Sequence, residues 1–358
     1  FYIGDKAPDG GAYYFLKDGD TTVWCVNTYF AQRVLKARNE FFDLTISKPY
    51  ELTDFLSLSI DFNDKSRNYE FRFCTQEEID ANLYADSMVM TSPFTFGASS
   101  ENVRAAAESV ASLSAEDVVC ENPTEEDLKD LGFSSSSPVV RIGFQVDVSQ
   151  STVNGAENPY YDASATESKK ITLYSTYMLG GRADGHLYLM YDDIDAVYAV
   201  SGDLFGFVDY TPDKFCQGNV FIRYLNELSA FEVSGGGITR KFDVSTEVAD
   251  DGKVTYFASY NGKELTASYM QNLYREIVSV TNLGMSDDPG GKAAVTVTCF
   301  GINGQDSKVE FVPLDEDGLY YFCRVNGSGH FYVSSALIDR ILADAQALSE
   351  GKAVNFEY

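Results

Sequence analysis

One pattern of apolar and aromatic residues occurs twice in this chain at a nearly constant spacing. Tyr14, Val23, Trp24 and Val26 return 174 positions later as Tyr188, Val197, Tyr198 and Val200. A second block, residues 52–60, returns as residues 225–233 at an offset of 173. Two blocks in the same order and at nearly the same offset indicate an internal repeat, so the chain is expected to fold as copies of a smaller unit.

The repeated segments have the pattern of β-hairpins. Residues 13–26 and 187–200, and a third partial copy at 319–333, each place two aromatic or β-branched runs around a turn rich in Gly, Asp or Asn. A candidate helix follows each hairpin. The last of these has Ser334 and Ser335 as N-cap candidates and Gly351 just past its end. Its apolar residues form one stripe at helical spacing: Leu337, Ile338, Ile341, Leu342, Ala345 and Leu348.

The segments between the hairpins predict further elements. Residues 100–113 and 268–278 are predicted helices, and residues 139–148 with 171–177 and 294–300 with 309–313 are predicted strand pairs. The predicted fold class is α+β, with duplicated units of antiparallel β-hairpins or sheets, each covered on one face by helices. The predicted units are 1–133, which is N-terminally truncated, 134–250, and 251–358 with the partial third copy.

The charge balance restricts the partners of the chain. It has 54 acidic residues against 27 Lys and Arg, a formal net charge of −27. Such a surface repels phosphate backbones and anionic lipid head groups, so nucleic acid is not an expected partner. No run approaches the roughly 18–20 apolar residues that cross a bilayer, so a membrane is expected only through an anchor upstream of residue 1.

The six cysteines are scattered without metal-binding spacing. Cys25, Cys74, Cys299 and Cys323 lie in apolar, strand-like runs. This position favours buried thiols, and one or two disulfides are the alternative.

Sequence motifs for chemistry are scarce. The two histidines, His186 and His330, lie in or beside hairpin turns without a neighbouring Cys or His. The acidic turns at 18–20, 192–195 and 315–318 lack the full calcium-loop spacing, and tight turns favour Asp and Gly in any case. We therefore predict no catalytic residue, no cofactor and no metal site.

One loop offers candidate contact residues. Residues 149–168 form an extended segment rich in Ser, Asn and Ala, and Tyr160 and Tyr161 lie within it. The two tyrosines are candidates for contact with a ligand or partner, with packing against the sheet as the alternative.

The residues resemble a known family. The segment from Ile3 to Val26, with Ile3-Gly4-Asp5-Lys6 and Tyr13-Tyr14, resembles the core motif of domain-of-unknown-function family 4340. Residues 115–138, with Glu121-Asn122-Pro123 and Leu131-Gly132-Phe133, resemble the segment of that family that leads into its next sheet. The resemblance implies a bacterial, membrane-anchored, extracytoplasmic protein of the cell envelope, in some members an accessory of an ABC-type transporter. It brings no catalytic residues.

Two functions are consistent with these features. The first is a non-enzymatic accessory module that acts through protein–protein contacts, with an ABC transporter or other envelope proteins as partners. The alternative is a ligand-binding ectodomain for cell-envelope or dietary glycans. The sequence leaves the oligomeric state open. It predicts that Trp24 and Tyr198, at equivalent strand positions, are core residues.

Overall fold

The fold is predominantly antiparallel β. A computed structural model of the chain describes residues 1–36, 38–48, 55–153, 155–249, 251–315 and 317–356. Strands take up 41% of it and helices 19%. The predicted β-rich α+β class with antiparallel sheets is confirmed at this level. Among the described residues, no helix is both long and apolar enough to cross a membrane.

Within the described ranges, fourteen strands lie before residue 202. They are β1 Tyr2–Lys6, β2 Ala12–Leu16, β3 Val23–Asn27, β4 Phe55–Asp61, β5 Tyr69–Phe73, β6 Met88–Ser92, β7 Phe96–Ala98, β8 Asp117–Glu121, β9 Val139–Asp147, β10 Thr152–Val153, β11 Ala156–Glu157, β12 Lys170–Ala183, β13 His186–Tyr191 and β14 Ala196–Ser201.

The described residues after 202 form nine more strands. They are β15 Leu228–Gly235, β16 Ile238–Val248, β17 Val254–Tyr260, β18 Lys263–Leu265, β19 Gly284–Met285, β20 Val295–Gly301, β21 Ser307–Pro313, β22 Tyr320–Val325 and β23 Ser328–Ser334.

The α-helices are short except for the last two. They are α1 Thr28–Val34, α2 Gln76–Asp80, α3 Ser100–Glu108, α4 Glu125–Asp130, α5 Ala267–Val278 and α6 Ser335–Ser349. The predicted helices at 100–113, 268–278 and after Ser334 are thereby confirmed as α3, α5 and α6. The stripe predicted for α6 is its buried side, with Ile338, Ile341, Ala345 and Leu348 inaccessible to solvent.

Two large sheets share one strand order. The first runs β7-β6-β5-β4-β9-β12-β13-β14-β8, and the second runs β18-β17-β16-β15-β20-β21-β22-β23-β19. The two orders become identical when β4 is matched with β15 and the later strands of the two sheets are matched in chain order. Strands β10 and β11 take no part in this matching, because they form a small sheet of their own. Helix α3 lies between β7 and β8 in the chain, and helix α5 lies at the matching place between β18 and β19.

The chain divides into two compact units. Unit 1 comprises residues 1–53, 108–141 and 146–205, and unit 2 comprises residues 54–107, 142–145 and 206–358. The predicted boundaries of the repeat units, after residue 133 and after residue 250, remain predictions.

Unit 2 contains the second sheet and its helices. Helices α5 and α6 pack on each other and against β15, β16 and β17. The core there is rich in phenylalanine, since Phe231, Phe242, Phe311 and Phe322 are fully buried. Closely packed aromatic side chains of this size supply much of the hydrophobic stabilisation of a sheet.

Unit 1 contains a separate three-stranded sheet with the order β1-β2-β3. Helix α1 packs against β2 and β3, and Phe15 of β2 contacts Phe30 of α1 with ring centroids 6.4 Å apart. This small sheet corrects two predictions. Trp24 is 55% exposed and Cys25 is exposed, so neither is a core residue. Tyr198 is buried as predicted, because β14 lies between two neighbouring strands whereas β3 is an edge strand.

Candidate ligand-binding site

A cavity of about 290 Å³ lies within unit 2. Its wall comes from residues 81–84 after α2, residues 95–97 at the start of β7, the segment 217–223, and the β22–β23 hairpin at 323–331. These segments are far apart in sequence, and they come from strands of both large sheets and from connections between strands. The cavity is therefore a product of the tertiary fold and not of a local motif.

Gln217 fixes one side of the cavity. Its side chain is buried; its Oε1 accepts a hydrogen bond from the Ala85 amide at 3.0 Å, and its Nε2 donates to the Asn219 carbonyl at 3.2 Å. Its backbone amide donates to the Gly97 carbonyl at 2.9 Å. A Cβ at Gly97 would lie 2.1 Å from Gln217 Oε1, so only glycine allows this close approach.

Aromatic rings form the wall around the β23 end of the cavity. The imidazole of His330 stacks on Phe94 with ring centroids 3.7 Å apart and planes 13° apart. Phe331 contacts Phe96 at 4.8 Å and Phe94 at 5.9 Å. His330 lines the cavity and Phe94 does not, so Phe94 supports the imidazole from behind.

Arg223 is the one full cation in the described wall, and its charge is already paired. Its Nε lies 3.2 Å from Glu227 Oε2, and its Nη2 donates to the Gln305 carbonyl at 3.1 Å. Glu227 also accepts a hydrogen bond from Asn82 at 2.6 Å. None of the described residues that line the cavity is Asp or Glu, although the chain has 54 acidic residues.

Three titratable side chains of the wall, those of His330, Cys323 and Tyr84, are held uncharged. Burial lowers the pKa of His330, which keeps the imidazole neutral at physiological pH. Burial raises the pKa of Cys323 to about 12 and raises the pKa of Tyr84, so the thiol and the phenol stay protonated. A protonated, buried thiol is a poor nucleophile. The wall thus suits binding of an uncharged ligand better than acid–base or nucleophilic chemistry.

The two candidate tyrosines lie elsewhere, in unit 1. Tyr160 is half-buried and Tyr161 is 48% exposed. The loop that carries them is organised by Asn158, whose side chain donates to the Asp147 carbonyl at 3.0 Å and the Gln150 carbonyl at 2.8 Å, and accepts from the Tyr160 amide at 3.0 Å. These hydrogen bonds order the loop, and of its two tyrosines Tyr161 is the exposed one.

The histidines and acidic turns do not converge on a site. His186 begins β13, and its Nε2 lies 2.9 Å from Glu116 Oε2. In the acidic turn at 192–195, Asp192 forms an ion pair with Lys48 and accepts from the Thr176 amide at 2.8 Å. Glu316, in the third acidic turn, lies outside the described residues. No group of three or more His, Cys, Asp or Glu within the described ranges is placed to hold a metal ion.

The cysteines are unpaired. Cys216, Cys299 and Cys323 are buried, Cys74 and Cys120 are half-buried, and Cys25 is exposed. The buried positions of Cys299 and Cys323 agree with the prediction from their apolar strand runs.

One face of the β1–β3 sheet is apolar and open. The register places Tyr2 opposite Leu16, Leu16 opposite Val23, and Tyr14 opposite Cys25, so these side chains share a face. Tyr2 is 61% exposed and Val23 is 60% exposed. Helix α1 covers the other face through Phe15. Exposed apolar clusters of this kind are typical of interaction surfaces.

Sequence reasoning missed the cavity. Its residues carry no spacing signal, and His330, which the sequence places in or beside a hairpin turn, is a half-buried strand residue. The one feature of the sequence that indicates a wall position for His330 is that it lies next to the aromatic residues of β23.

The comparisons with known proteins give one result. Neither the curated proteins nor the solved structures include a match to this chain. A family model described as Domain of unknown function (DUF4340) matches residues 89–279, which is more than half of the chain. The match includes β7, the 217–223 segment and most of the strands of both sheets that precede α5. The chain belongs to the DUF4340 family.

Proposed function

We propose that this chain is a non-enzymatic interaction module of the bacterial cell envelope, held at the membrane by an anchor outside residues 1–358 and associated with an ABC-type transporter. The open apolar face of the β1–β3 sheet carries the proposal. Exposure of the Tyr2, Tyr14 and Val23 side chains to water is unfavourable. A protein partner that covers this face would remove their apolar surface from water, which favours binding.

The edge of β3 supports the same proposal. In the first large sheet β14 pairs with β8, and in the second β23 pairs with β19. Among the described residues, no strand occupies the corresponding outer edge of β3. The unpaired backbone groups of an edge strand bind an added strand readily. The partner is proposed to contribute a strand along β3 together with apolar side chains for the adjoining face.

We also propose that the two large sheets arose by duplication, with β1–β3 as the last strands of a further copy. Their common strand order is the first support. Their registers are the second, because Leu58 pairs with Phe71 in one sheet and Phe231 pairs with Phe242 in the other, and all four are buried. The proposed units would each be covered by helices on one face, as α5 and α6 cover β15–β17.

Site-specific photo-crosslinking in native membranes tests the interaction proposal. A photoreactive phenylalanine analogue replaces Tyr14 in the anchored, full-length protein, and the matched control carries it at Ile302, which is 69% exposed in unit 2. We expect ABC-transporter subunits to be crosslinked from position 14 and not from position 302. Equal products from both positions, or products without transporter subunits, would contradict the proposal.

Glycan binding is the second candidate function, and the exposure of Tyr161 favours it. Exposed tyrosine rings on an ordered loop can stack on sugar rings. If the loop is the site, Tyr161→Ala weakens retention on immobilised cell-envelope glycan, while Tyr29→Ala, a change at a still more exposed tyrosine on α1, leaves retention unchanged. Identical retention of both variants and the unmodified chain would exclude the loop.

A further inference from the structure

We propose that the cavity in unit 2 binds one ring of an uncharged sugar. This inference rests on the second candidate function, glycan binding, and places its site in the cavity and not on the 149–168 loop. Three properties of the wall carry it: its charge, its size and the mixture of groups it presents.

The charge of the wall excludes most ionic ligands. In a chain of net charge −27, no described residue of the wall is Asp or Glu, and Arg223 is already paired with Glu227. A carboxylate or ammonium group that entered would lose its hydration without gaining a free counter-charge. Burial of an unpaired charge is strongly unfavourable, so an uncharged ligand is favoured.

The size of the cavity limits the ligand to about one ring with substituents. Its volume is about 290 Å³. An apolar cavity of roughly 150 Å³ holds one benzene molecule, and ligand pockets generally span roughly 300–1,000 Å³. A single hexose with an acetamido group is of the right order, whereas a long oligosaccharide could place only its terminal ring inside.

The groups of the wall match the two kinds of surface on a sugar. The imidazole of His330, backed by Phe94, and the ring of Phe96, backed by the buried Phe331, provide flat apolar surfaces for the C–H face of a pyranose. Hydroxyl and amide side chains lie elsewhere on the same wall: Thr95, Ser307, Asn326 and Ser328. These groups can exchange hydrogen bonds with the sugar hydroxyls at its edge.

Gln217 and Gly97 keep this arrangement in place without the ligand. The buried amide of Gln217 joins the 81–85 loop to the 217–219 segment, and Gly97 leaves the space for it. A preformed wall of this kind reduces the conformational entropy lost on binding.

Three sugars of similar size and different charge test the proposal. N-acetylglucosamine is the uncharged probe, glucosamine is the cationic probe, and glucuronic acid is the anionic probe. Binding to the whole chain is measured by titration calorimetry and by saturation-transfer NMR. We expect N-acetylglucosamine to bind about 10-fold or more tightly than either charged sugar, in line with the cost of desolvating a charge.

The two histidines provide a built-in control. The imidazole resonances of the unmodified protein report on His330 in the cavity and on His186 in unit 1, so no variant has to fold. We expect N-acetylglucosamine to shift the His330 resonances and leave those of His186 unchanged. His330→Ala should weaken binding by about 5- to 10-fold, the range expected for one aromatic contact, and His186→Ala should not.

The outcomes separate the two levels of the proposal. Saturable binding that shifts His330 supports the cavity site. Saturable binding that leaves His330 unshifted and is lost in Tyr161→Ala overturns the cavity inference but keeps glycan binding. The absence of saturable binding for N-acetylglucosamine overturns the cavity inference, and the absence of retention on immobilised cell-envelope glycan overturns glycan binding as well.

Discussion

At the scale of single residues, equivalent positions in the repeat have different surroundings. Tyr198 and Trp24 occupy matching strand positions, but Tyr198 lies in a strand paired on both edges and Trp24 lies in an edge strand. Tyr198 is 5% exposed and Trp24 is 55% exposed. Spacing in the sequence identifies equivalent positions, and the number of neighbouring strands decides whether they are buried.

This difference gives a stability prediction. Tyr198→Ala should lower the free energy of unfolding by about 3–5 kcal/mol, because it leaves a cavity in a packed core. Trp24→Ala should lower it by less than about 1 kcal/mol, since the ring is mostly in water already. Urea titration of both variants measures the difference, and a similar loss in both would show that β3 is covered in solution.

The pKa of Glu276 is likewise determined by the surroundings of the residue. Its carboxylate is 1% exposed on α5, with Arg340 Nη2 at 2.8 Å. Burial, together with the neighbouring Asp344 carboxyl, raises the pKa of Glu276 to about 7, although Arg340 opposes the shift. The folded state therefore holds this proton more tightly than the unfolded state does.

The stability that this proton provides should depend on pH. It is fully present below the unfolded pKa of 4.5 and is lost as pH rises through about 7. Glu276→Gln keeps a neutral group at all pH values, so this variant should not lose that stability as pH rises. Its free energy of unfolding relative to the unmodified chain should therefore improve by about 2–3 kcal/mol between pH 5 and pH 8. This size follows from the pKa shift at about 1.4 kcal/mol per pKa unit. Urea titrations at both pH values measure this, with the exposed Glu264→Gln as control. A constant difference would show that Arg340 keeps Glu276 ionised.

At the scale of elements, local signals predicted the hairpins and helices well. The hairpin predicted at residues 187–200 is formed by β13 and β14, and α6 begins and ends where its cap residues indicate. These features depend on residues a few positions apart. The cavity could not be predicted in this way, because Gln217, Gly97 and His330 are far apart in the sequence and line the cavity from different elements of the fold.

The 149–168 loop shows how one buried polar residue can order a long connection. Asn158 makes three hydrogen bonds to the backbone within this segment and at the end of β9. Asn158→Ala removes all three and leaves carbonyls of Asp147 and Gln150 without this donor.

We expect Asn158→Ala to make the loop cleave at least about 10-fold faster under limited proteolysis, corresponding to a local loss of roughly 1.4 kcal/mol or more. The global free energy of unfolding should change much less. Mass spectrometry of the early fragments locates the cuts, with Asn303→Ala, a change in an exposed turn, for comparison. Unchanged cleavage in the loop would mean that other contacts hold it.

At the scale of the whole molecule, net charge opposes compactness. With 54 acidic and 27 basic residues, the folded chain concentrates negative charge, and salt screens the resulting repulsion. The Tm should therefore rise by several degrees as NaCl increases from about 20 mM to about 500 mM, since the Debye length falls well below 10 Å over this range.

Differential scanning calorimetry in NaCl and in KCl measures this effect. Equal increases in both salts identify screening, whereas an increase in only one would identify binding of that ion. A Tm that does not change in either salt would show that the charges are too dispersed to repel one another.

The strand order of the second sheet has a consequence for the rate of folding. Consecutive hairpins form β15–β18 and β20–β23, and each of these is built from neighbours in sequence. The seam between them, in which Val233 faces Val297, joins residues far apart in the chain. Closing such a loop costs entropy before the pairing offsets it, so this seam is expected to form last and to limit the rate. The two meanders would then collapse early and wait for the β15–β20 pairing, which makes this seam the point at which kinetic traps arise.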